Sequence, residues 1–268
     1  DPLFWIGTAV NVMFKAIWAA RWYLLLGLLT FIFVLAINTP LHFVWGFVEP
    51  KVQRLPVKIG HISGTLWDGN VTLTVPQMRA LGELDAHWTL SPLSLLTGTA
   101  AVNLDISGQG LRLNADAELG MGQQVVINDA SGYLESAVIA PLLKPNRISV
   151  AGNFELGQLH GEMNLAERSF AGFAGRIVFS GGAVSVPVDN KAVEANMPMV
   201  IGDIGMDGDK VVIRANTTEG QQLLQAYMQP DGWGGVAVRR RFIDALGQTW
   251  PNKADEDTVI FEVSHKIL

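Results

Sequence analysis

The N-terminal part of the chain contains a long segment without charge. From Trp22 through Val48 there is no Asp, Glu, Lys or Arg, and the centre of the segment, Leu24 to Ile37, is almost purely apolar. A helix needs about 20 apolar residues to cross a bilayer, and only a helix satisfies its own backbone hydrogen bonds there. The pattern therefore predicts a transmembrane helix over residues 21–48.

Aromatic residues stand at both ends of this predicted span, as in the interfacial belts of membrane helices. The candidate membrane anchors are Trp22, Tyr23, Leu24, Phe31, Phe33 and Trp45. Basic residues occur on both sides, so charge does not set the orientation. A buried core helix and a cleaved signal peptide are the alternatives, but the uncharged run is longer than either needs. Residues 1–20, apolar but interrupted by Asn11 and Lys15, predict an interfacial helix before the span.

Beyond Glu49 the pattern changes to short segments in which apolar and polar residues alternate. The clearest are residues 71–75, 101–106, 111–115, 147–150, 176–179 and 210–215. Alternation with period two predicts strands that bury one face and expose the other to water. Asp68-Gly69, Asp207-Gly208 and Asp231-Gly232 are hairpin signals, because type I′ turns need positive φ at both central positions.

Strands recur about every 8 to 12 residues, which leaves little room for helical crossovers between parallel strands. Two short helices are predicted, over residues 91–96 and 239–247, each with a typical start or stop residue. Residues 49–268 are therefore predicted to form a mainly β domain with an antiparallel, meandering, glycine-rich sheet, arranged as an open groove or a sandwich.

The amino-acid composition argues against some classes of function and excludes others. The chain has 19 Lys and Arg against 25 Asp and Glu, for a formal net charge of −6, with 49% hydrophobic and 16% charged residues. A sequence pI near 5.3 argues against a nucleic-acid partner, which attracts concentrated positive charge. The absence of Cys excludes disulfides, thiolate metal sites and cysteine nucleophiles.

No motif in the sequence assembles a reaction site. The five His residues have no metal-ligand spacing, and phosphate loops, dinucleotide fingerprints and nucleophile elbows are absent. Asp203, Asp207 and Asp209 do not follow the order of a calcium loop. We therefore assign no catalytic, metal-binding or cofactor-binding residue, and predict that the chain is not an enzyme.

Two charged runs lie near the C-terminus. Arg239, Arg240 and Arg241 are candidate contacts for an anionic lipid or a protein partner, although on a helix or a strand they do not form one phosphate clamp. The acidic run at 255–257 is predicted to be a solvated turn.

One local pattern is more distinctive than the rest. Gly64-Thr-Leu-Trp67-Asp-Gly69 is followed about twenty residues later by Trp88-Thr-Leu-Ser-Pro92-Leu-Ser-Leu-Leu-Thr-Gly98. It predicts a Trp-bearing hairpin, a return strand and a second Trp before a capped turn. We single out Gly64, Trp67, Gly69, Trp88 and Pro92 as structural residues of this motif. The simpler interpretation is that both Trp side chains fill the core.

These motifs occur in a fixed order after the predicted span, and a further motif, Arg241-Phe-Ile-Asp-Ala-Leu-Gly247, follows near the end. In this order of features the chain resembles protein N of the bacterial type II secretion system. The resemblance implies a single-pass inner-membrane protein with a periplasmic β domain. It also implies a non-enzymatic accessory of the secretion machinery without cofactors or catalytic residues, and it leaves the oligomeric state open.

Two alternatives remain at this point. The anchor followed by a β domain is also similar to envelope proteins of the AsmA kind, which would imply a lipid-handling module whose partner is membrane lipid. A member of the secretion family adopted as an accessory subunit of another membrane complex is the third interpretation.

Overall fold

A computed structural model describes residues 25–31, 34, 57–76, 79–188, 191–249 and 253–266. Residues 25–31 are helical, and Phe31 is exposed at the end of this stretch. Within the described ranges, no helix combines the length and apolarity that crossing a membrane requires. The predicted segment 1–20, most of the predicted span 21–48 and the candidate anchors Trp22, Tyr23, Leu24, Phe33 and Trp45 lie outside the described residues.

From Lys58 onward the described chain is mainly β. Its strands are β1 (Lys58–Gly64), β2 (Asp68–Thr74), β3 (Glu83–Leu90), β4 (Thr99–Gly108), β5 (Leu111–Gly120), β6 (Gln124–Glu135), β7 (Ser149–Val150), β8 (Asn153–Asn164), β9 (Ser169–Phe179), β10 (Gly182–Val188), β11 (Lys191–Met197), β12 (Val200–Asp207), β13 (Lys210–Thr217), β14 (Gln222–Met228), β15 (Trp233–Arg239) and β16 (Val259–Lys266). All six segments predicted from alternation contain strand residues. Only Ser149 and Val150 of the segment 147–150 are extended.

The main sheet contains 13 of the described strands in the order β1-β2-β3-β4-β5-β6-β8-β9-β12-β13-β14-β15-β16. Each neighbouring pair is antiparallel. The order follows the chain except where β7, β10 and β11 leave the sheet, so the prediction of an antiparallel, meandering β fold with few short helices is confirmed. The sheet is open, with β1 and β16 as its two edges in the described part.

A second sheet of three strands, in the order β11-β10-β7, was not predicted. It packs on the main sheet through a core that contains Phe179 of β9, Val184 of β10, Met197 of β11 and Leu223 of β14. Leu246, near the C-terminus, completes this core. The small sheet therefore covers part of one face of the main sheet.

Two α-helices lie among the strands of the described residues, α1 (Ser136–Leu143) and α2 (Arg240–Ala245). The predicted helix at 239–247 is confirmed as α2, which ends before Gly247 at φ 71°. The segment predicted at 91–96 forms a 3-10 helix at Ser94–Thr97. Helix α1 was missed, because Pro141 in its interior reads as a helix breaker.

The three hairpin signals differ in outcome. Asp207-Gly208 and Asp231-Gly232 mark the β12–β13 and β14–β15 hairpins as predicted. The placement of a turn at Asp68-Gly69 is wrong, since both residues begin β2 and Gly69 pairs with Gly64. The chain reverses at Leu66 and Trp67, and the Thr65 amide donates to the Asp68 carbonyl across this turn at 2.8 Å.

Candidate functional site

One row of cross-strand partners runs through every strand of the main sheet. Its members, in sheet order, are Ile62, Val71, Ala86, Ile106, Leu113, Gly132, Leu156, Ile177, Gly202, Ala215, Leu224, Val238 and Phe261. Directly opposed residues of an antiparallel sheet share one face. All the members are apolar or Gly, so this face carries an unbroken apolar band from one edge strand to the other.

Neighbouring rows on the same face are also apolar. On one side Leu111, Leu134, Phe154, Phe179 and Val200 pair in sequence, and on the other Ile204, Ile213, Ala226, Val236 and Val263 do so. The apolar positions of each alternating strand are therefore paired with apolar positions of the neighbouring strands. This face is apolar along both of its dimensions.

Three adjoining cavities open on this face between β5 and β16. The first, about 340 Å³, lies over β5, β6, β8 and β9 beside Ile139 of α1. The second, about 300 Å³, shares Phe154 and Ile177 with the first and lies between the two sheets, bordered by Val184 and Met197 of the small sheet and by Phe242 of α2. The third, about 400 Å³, shares Ile213 with the second and reaches β16. Each is as large as ordinary small-molecule sites, which begin at roughly 300 Å³.

We call these joined cavities the apolar trough. Its floor consists of Leu113, Leu156, Ile177, Ile213, Val236 and Val263. Arg112, Tyr133 and Tyr227 also border it, but they alternate with the floor residues along their strands and belong to the opposite face. His265, on the edge strand, is the polar residue whose register places it on the trough face.

The trough is covered along one side. Helix α1, the small sheet and α2 are all inserted where β6, β9 and β15 end, at the same strand ends of the main sheet. A second core, formed by Leu81, Leu84 and Val138, holds α1 against the sheet. At the other strand ends the connections in the described chain are short turns and a 3-10 helix. The trough is thus walled at one end of the strands and open at the other.

The outer face of the main sheet is largely polar. Arg176 pairs with Asp203 at 3.1 Å, and the Asn103 amide donates to Asp116 at 2.5 Å. A shallow groove of about 450 Å³ on β3 to β6 contains Asn103, Asp116, Glu118 and Asn128. The Asn128 amide donates to Glu118 at 3.1 Å, so these side chains bond to one another. The contrast between the faces defines the trough as the apolar site of the domain.

The Trp-containing motif forms one local structure beside this face. The Trp88 indole Nε1–H donates to the Leu66 carbonyl at 3.0 Å, and the Leu90 amide donates to the Trp67 carbonyl at 2.7 Å. Gly64 has φ +90°, and a Cβ there would lie 2.4 Å from the Asp68 carbonyl oxygen, so the turn needs Gly at this position.

The structure thus brings Gly64, Trp67, Gly69 and Trp88 together in the β1–β2–β3 region. Pro92 lies in the connection that follows β3, where the Ser91 amide donates to the Ala101 carbonyl at 3.0 Å. Trp67 and Trp88 are both half-buried. Their geometry assigns the motif to shaping this corner of the sheet.

The three arginines at 239–241 contact the acidic run at 255–257, although the two runs are separated in the sequence. Arg241 lies 3.5 Å from Glu256 and 3.1 Å from Asp257, and Arg239 lies 3.7 Å from Asp257. Arg240 donates to the Ala254 carbonyl and lies 3.5 Å from Asp244. These pairs tie α2 to the segment before β16. Contact of the arginines with a lipid or a partner stays a prediction.

Exposed apolar side chains cluster at the open strand ends. They are Leu93, Leu95, Leu96, Leu119, Met121 and Leu165, of which Leu96 is 84% and Met121 89% exposed. A Cβ on Gly98 would lie 2.8 Å from the Met121 methyl, and the Leu165 amide donates to the Gln123 carbonyl at 3.1 Å. The three turns therefore adjoin, and we call these six residues the tip patch.

Neither the trough nor the tip patch is predicted by the sequence pattern. Each floor residue is visible as an apolar position in an alternating segment, but the register that aligns thirteen strands depends on turns and bulges. Among the described residues, no group of three or more His, Asp or Glu side chains is placed to hold a metal ion. What the arrangement offers chemically is a long apolar surface.

The comparisons with known proteins agree with the resemblance inferred from the motifs. A family model described as protein N of the type II secretion system matches residues 56–247, more than half of the chain. No curated protein and no solved structure gives a significant match.

Proposed function

Since the chain belongs to the protein N family of the type II secretion system, we propose that it is a membrane-anchored, non-enzymatic accessory of that secretion machinery. The β domain docks on another component, and the N-terminal span holds it at the inner membrane. The observation that carries this proposal is the family match over residues 56–247, which covers β1 to α2.

We propose an inner-membrane location, with the β domain in the periplasm, on similar grounds. The uncharged run from Trp22 to Val48 supports a single span, and the resemblance to protein N supports a periplasmic β domain. Charge on the β domain fits this placement. Residues 1–48 contain only Asp1, Lys15 and Arg21 as charged residues, a net charge of +1, so residues 49–268 carry a net charge of −7. An acidic domain gains no electrostatic attraction to an anionic bilayer surface, so the proposed span, and not the charge of the domain, holds it at the membrane.

The tip patch is the proposed docking surface for the secretion component. Clusters of exposed apolar side chains on otherwise polar proteins mark interaction sites. Leu93, Leu95 and Leu96 belong to the Trp88 to Gly98 segment, one of the stretches by which the chain resembles the family. The patch lies at the strand ends opposite α1, α2 and the small sheet, so a partner there leaves the covered side undisturbed.

Gentle-detergent purification of the full chain from its native membrane, followed by identification of the proteins that accompany it, tests the function. A component of the secretion machinery should co-purify. The double variant Leu96→Asp with Met121→Asp should lose it, because two desolvated carboxylates would face an apolar partner surface. Leu142→Asp on α1 is the matched control, since Leu142 is exposed at the opposite strand ends.

The outcomes separate the two claims. If no secretion component accompanies the unchanged chain, the proposed function fails. If the component is found but the double variant retains it, the function stands and the tip patch is not the docking surface. Loss in Leu142→Asp as well would show that the charge acts through the fold.

A further inference from the structure

We propose that the apolar trough binds the acyl chains of a membrane lipid. The occupant is identified by what the trough lacks. Its floor residues are aliphatic, and the interior strands β5 to β15 pair on both sides, so their backbone groups are already hydrogen-bonded in the sheet. A ligand lying on this surface finds few hydrogen-bond partners there.

This chemistry selects between occupants. An extended peptide carries an N–H and a C=O at each residue, and leaving these groups unpaired on an apolar surface costs free energy at every step. An acyl chain has no such groups and gains free energy from every CH₂ that it buries. A hydrocarbon chain therefore fits the floor at lower cost than a strand from a partner.

The dimensions agree with this occupant. Neighbouring strands are about 4.8 Å apart, so the eight spacings from β5 to β16 give the trough a length of roughly 38 Å. The hydrocarbon core of a bilayer, which holds two leaflets, is about 30 Å thick, so one chain spans about 15 Å. Two acyl chains fit end to end along the floor.

Access to the trough follows from where the chain is covered. Helix α1, the small sheet and α2 close the ends of the strands at one side, and the side of the tip patch is open. Nine residues separate Val48, the end of the uncharged run, from β1, and this linker spans at most about 35 Å. The start of β1, at the walled strand ends, therefore lies within reach of the bilayer surface, and the open ends lie one strand length beyond it. This step alone rests on the proposed anchor.

Photo-crosslinking in the native membrane tests the proposal on the full chain. Val236→p-benzoylphenylalanine places a benzophenone on the trough floor, where Val236 is 40% exposed and the larger ring has room. Ala237→p-benzoylphenylalanine is the matched control, because the next residue on β15 belongs to the outer face. On irradiation the ketone oxygen takes a hydrogen from an acyl C–H and the two carbons join, so the adduct mass is the sum of both molecules.

Intact-mass analysis should show phospholipid adducts at position 236 at least roughly tenfold above position 237. Ala226→Glu, which places a carboxylate on the trough face, should lower the adduct at 236 by about tenfold, since an unpaired charge on an apolar surface costs more than 1.4 kcal/mol. Gln225→Glu, its neighbour on the outer face, should leave the adduct unchanged.

Several results would overturn the proposal. Adducts to a second copy or to another protein at position 236 would identify a protein occupant, and equal lipid adducts at 236 and 237 would show unspecific contact. Trp22→p-benzoylphenylalanine reports the proposed anchor independently. Lipid adducts at 22 without any at 236 remove the trough proposal alone, whereas the reverse removes the anchor and leaves the trough. The secretion role is judged by co-purification and does not depend on either result.

Discussion

The indole ring of Trp88 lies directly on Gly69, its cross-strand partner in β2. A Cβ added to Gly69 would be 2.2 Å from Cζ2 of the ring, well inside van der Waals contact. The same ring donates its Nε1–H to the Leu66 carbonyl at 3.0 Å. The glycine is therefore required by its neighbour and not by its own backbone conformation.

Gly69→Ala is expected to displace the Trp88 ring and break its hydrogen bond. Forcing a methyl group into a packed site costs about 1–3 kcal/mol, which should lower the free energy of unfolding by that amount. Thermal unfolding of the full chain in detergent, followed by circular dichroism, measures the change. Gly122→Ala is the control, because a Cβ there meets nothing within 4 Å. Equal stability of the two variants would contradict the prediction.

Leu223→Ala is expected to be the most destabilising single truncation in the core beneath the small sheet. Leu223 sits at the bulge between β13 and β14, is only 1% exposed, and contacts the cluster of Phe179, Val184 and Met197. Leu→Ala changes in such cores cost about 2–5 kcal/mol, because the cavity relaxes only in part. Denaturant unfolding measures this loss. Leu142→Ala, at an exposed position on α1, should change stability by less than about 0.5 kcal/mol.

Arg241→Met is expected to loosen the segment that precedes β16 without unfolding the sheet. The Arg241 side chain is 17% exposed and pairs with Glu256 and Asp257, whose carboxylates remain largely exposed to water. Solvent screening limits such a pair to about 1 kcal/mol. Faster amide exchange in residues 253–258 would report the change. Arg176→Met, which breaks the exposed pair with Asp203, should leave exchange there unaltered.

Phe261→Lys is expected to reduce self-association of the purified chain. In the described residues β16 pairs with β15 alone, and Phe261 is 58% exposed on this edge. Exposed apolar edge strands are templates for pairing with another chain, and a lysine on the edge opposes it. Sedimentation velocity at increasing concentration measures the effect. If Thr218→Lys, which adds the same charge in an exposed turn, reduced association equally, net charge and not the edge would explain it.

The strands and their antiparallel order were predictable because alternation and turn residues are local signals. The second helix was predictable for the same reason, as its apolar residues end at a glycine. The trough was not, because it requires the register between strands. Bulges such as the one between Ile127 and Ala130 shift the pairing of β6 with β8, and no local pattern marks them.

Long-range pairing limited the prediction of the charged site in a similar way. Arg241 and Asp257 are each visible in the sequence as members of a charged run, yet nothing local states that α2 and the segment before β16 meet. The small sheet has the same origin, since β7 and β10 come from separate insertions and pair only through the fold. The Trp motif was recognised because its parts are close along the chain.

The apolar row that crosses the main sheet allows strands to be added or removed without disturbing the others. Each strand contributes one residue to the row. Inserting or deleting a β-hairpin therefore changes the sheet by two strands and the length of the trough by about 10 Å. The cross-section of the trough stays the same, because the remaining strands keep their register. The length of the trough is therefore adjustable in steps of one hairpin, independently of the residues that line any one position.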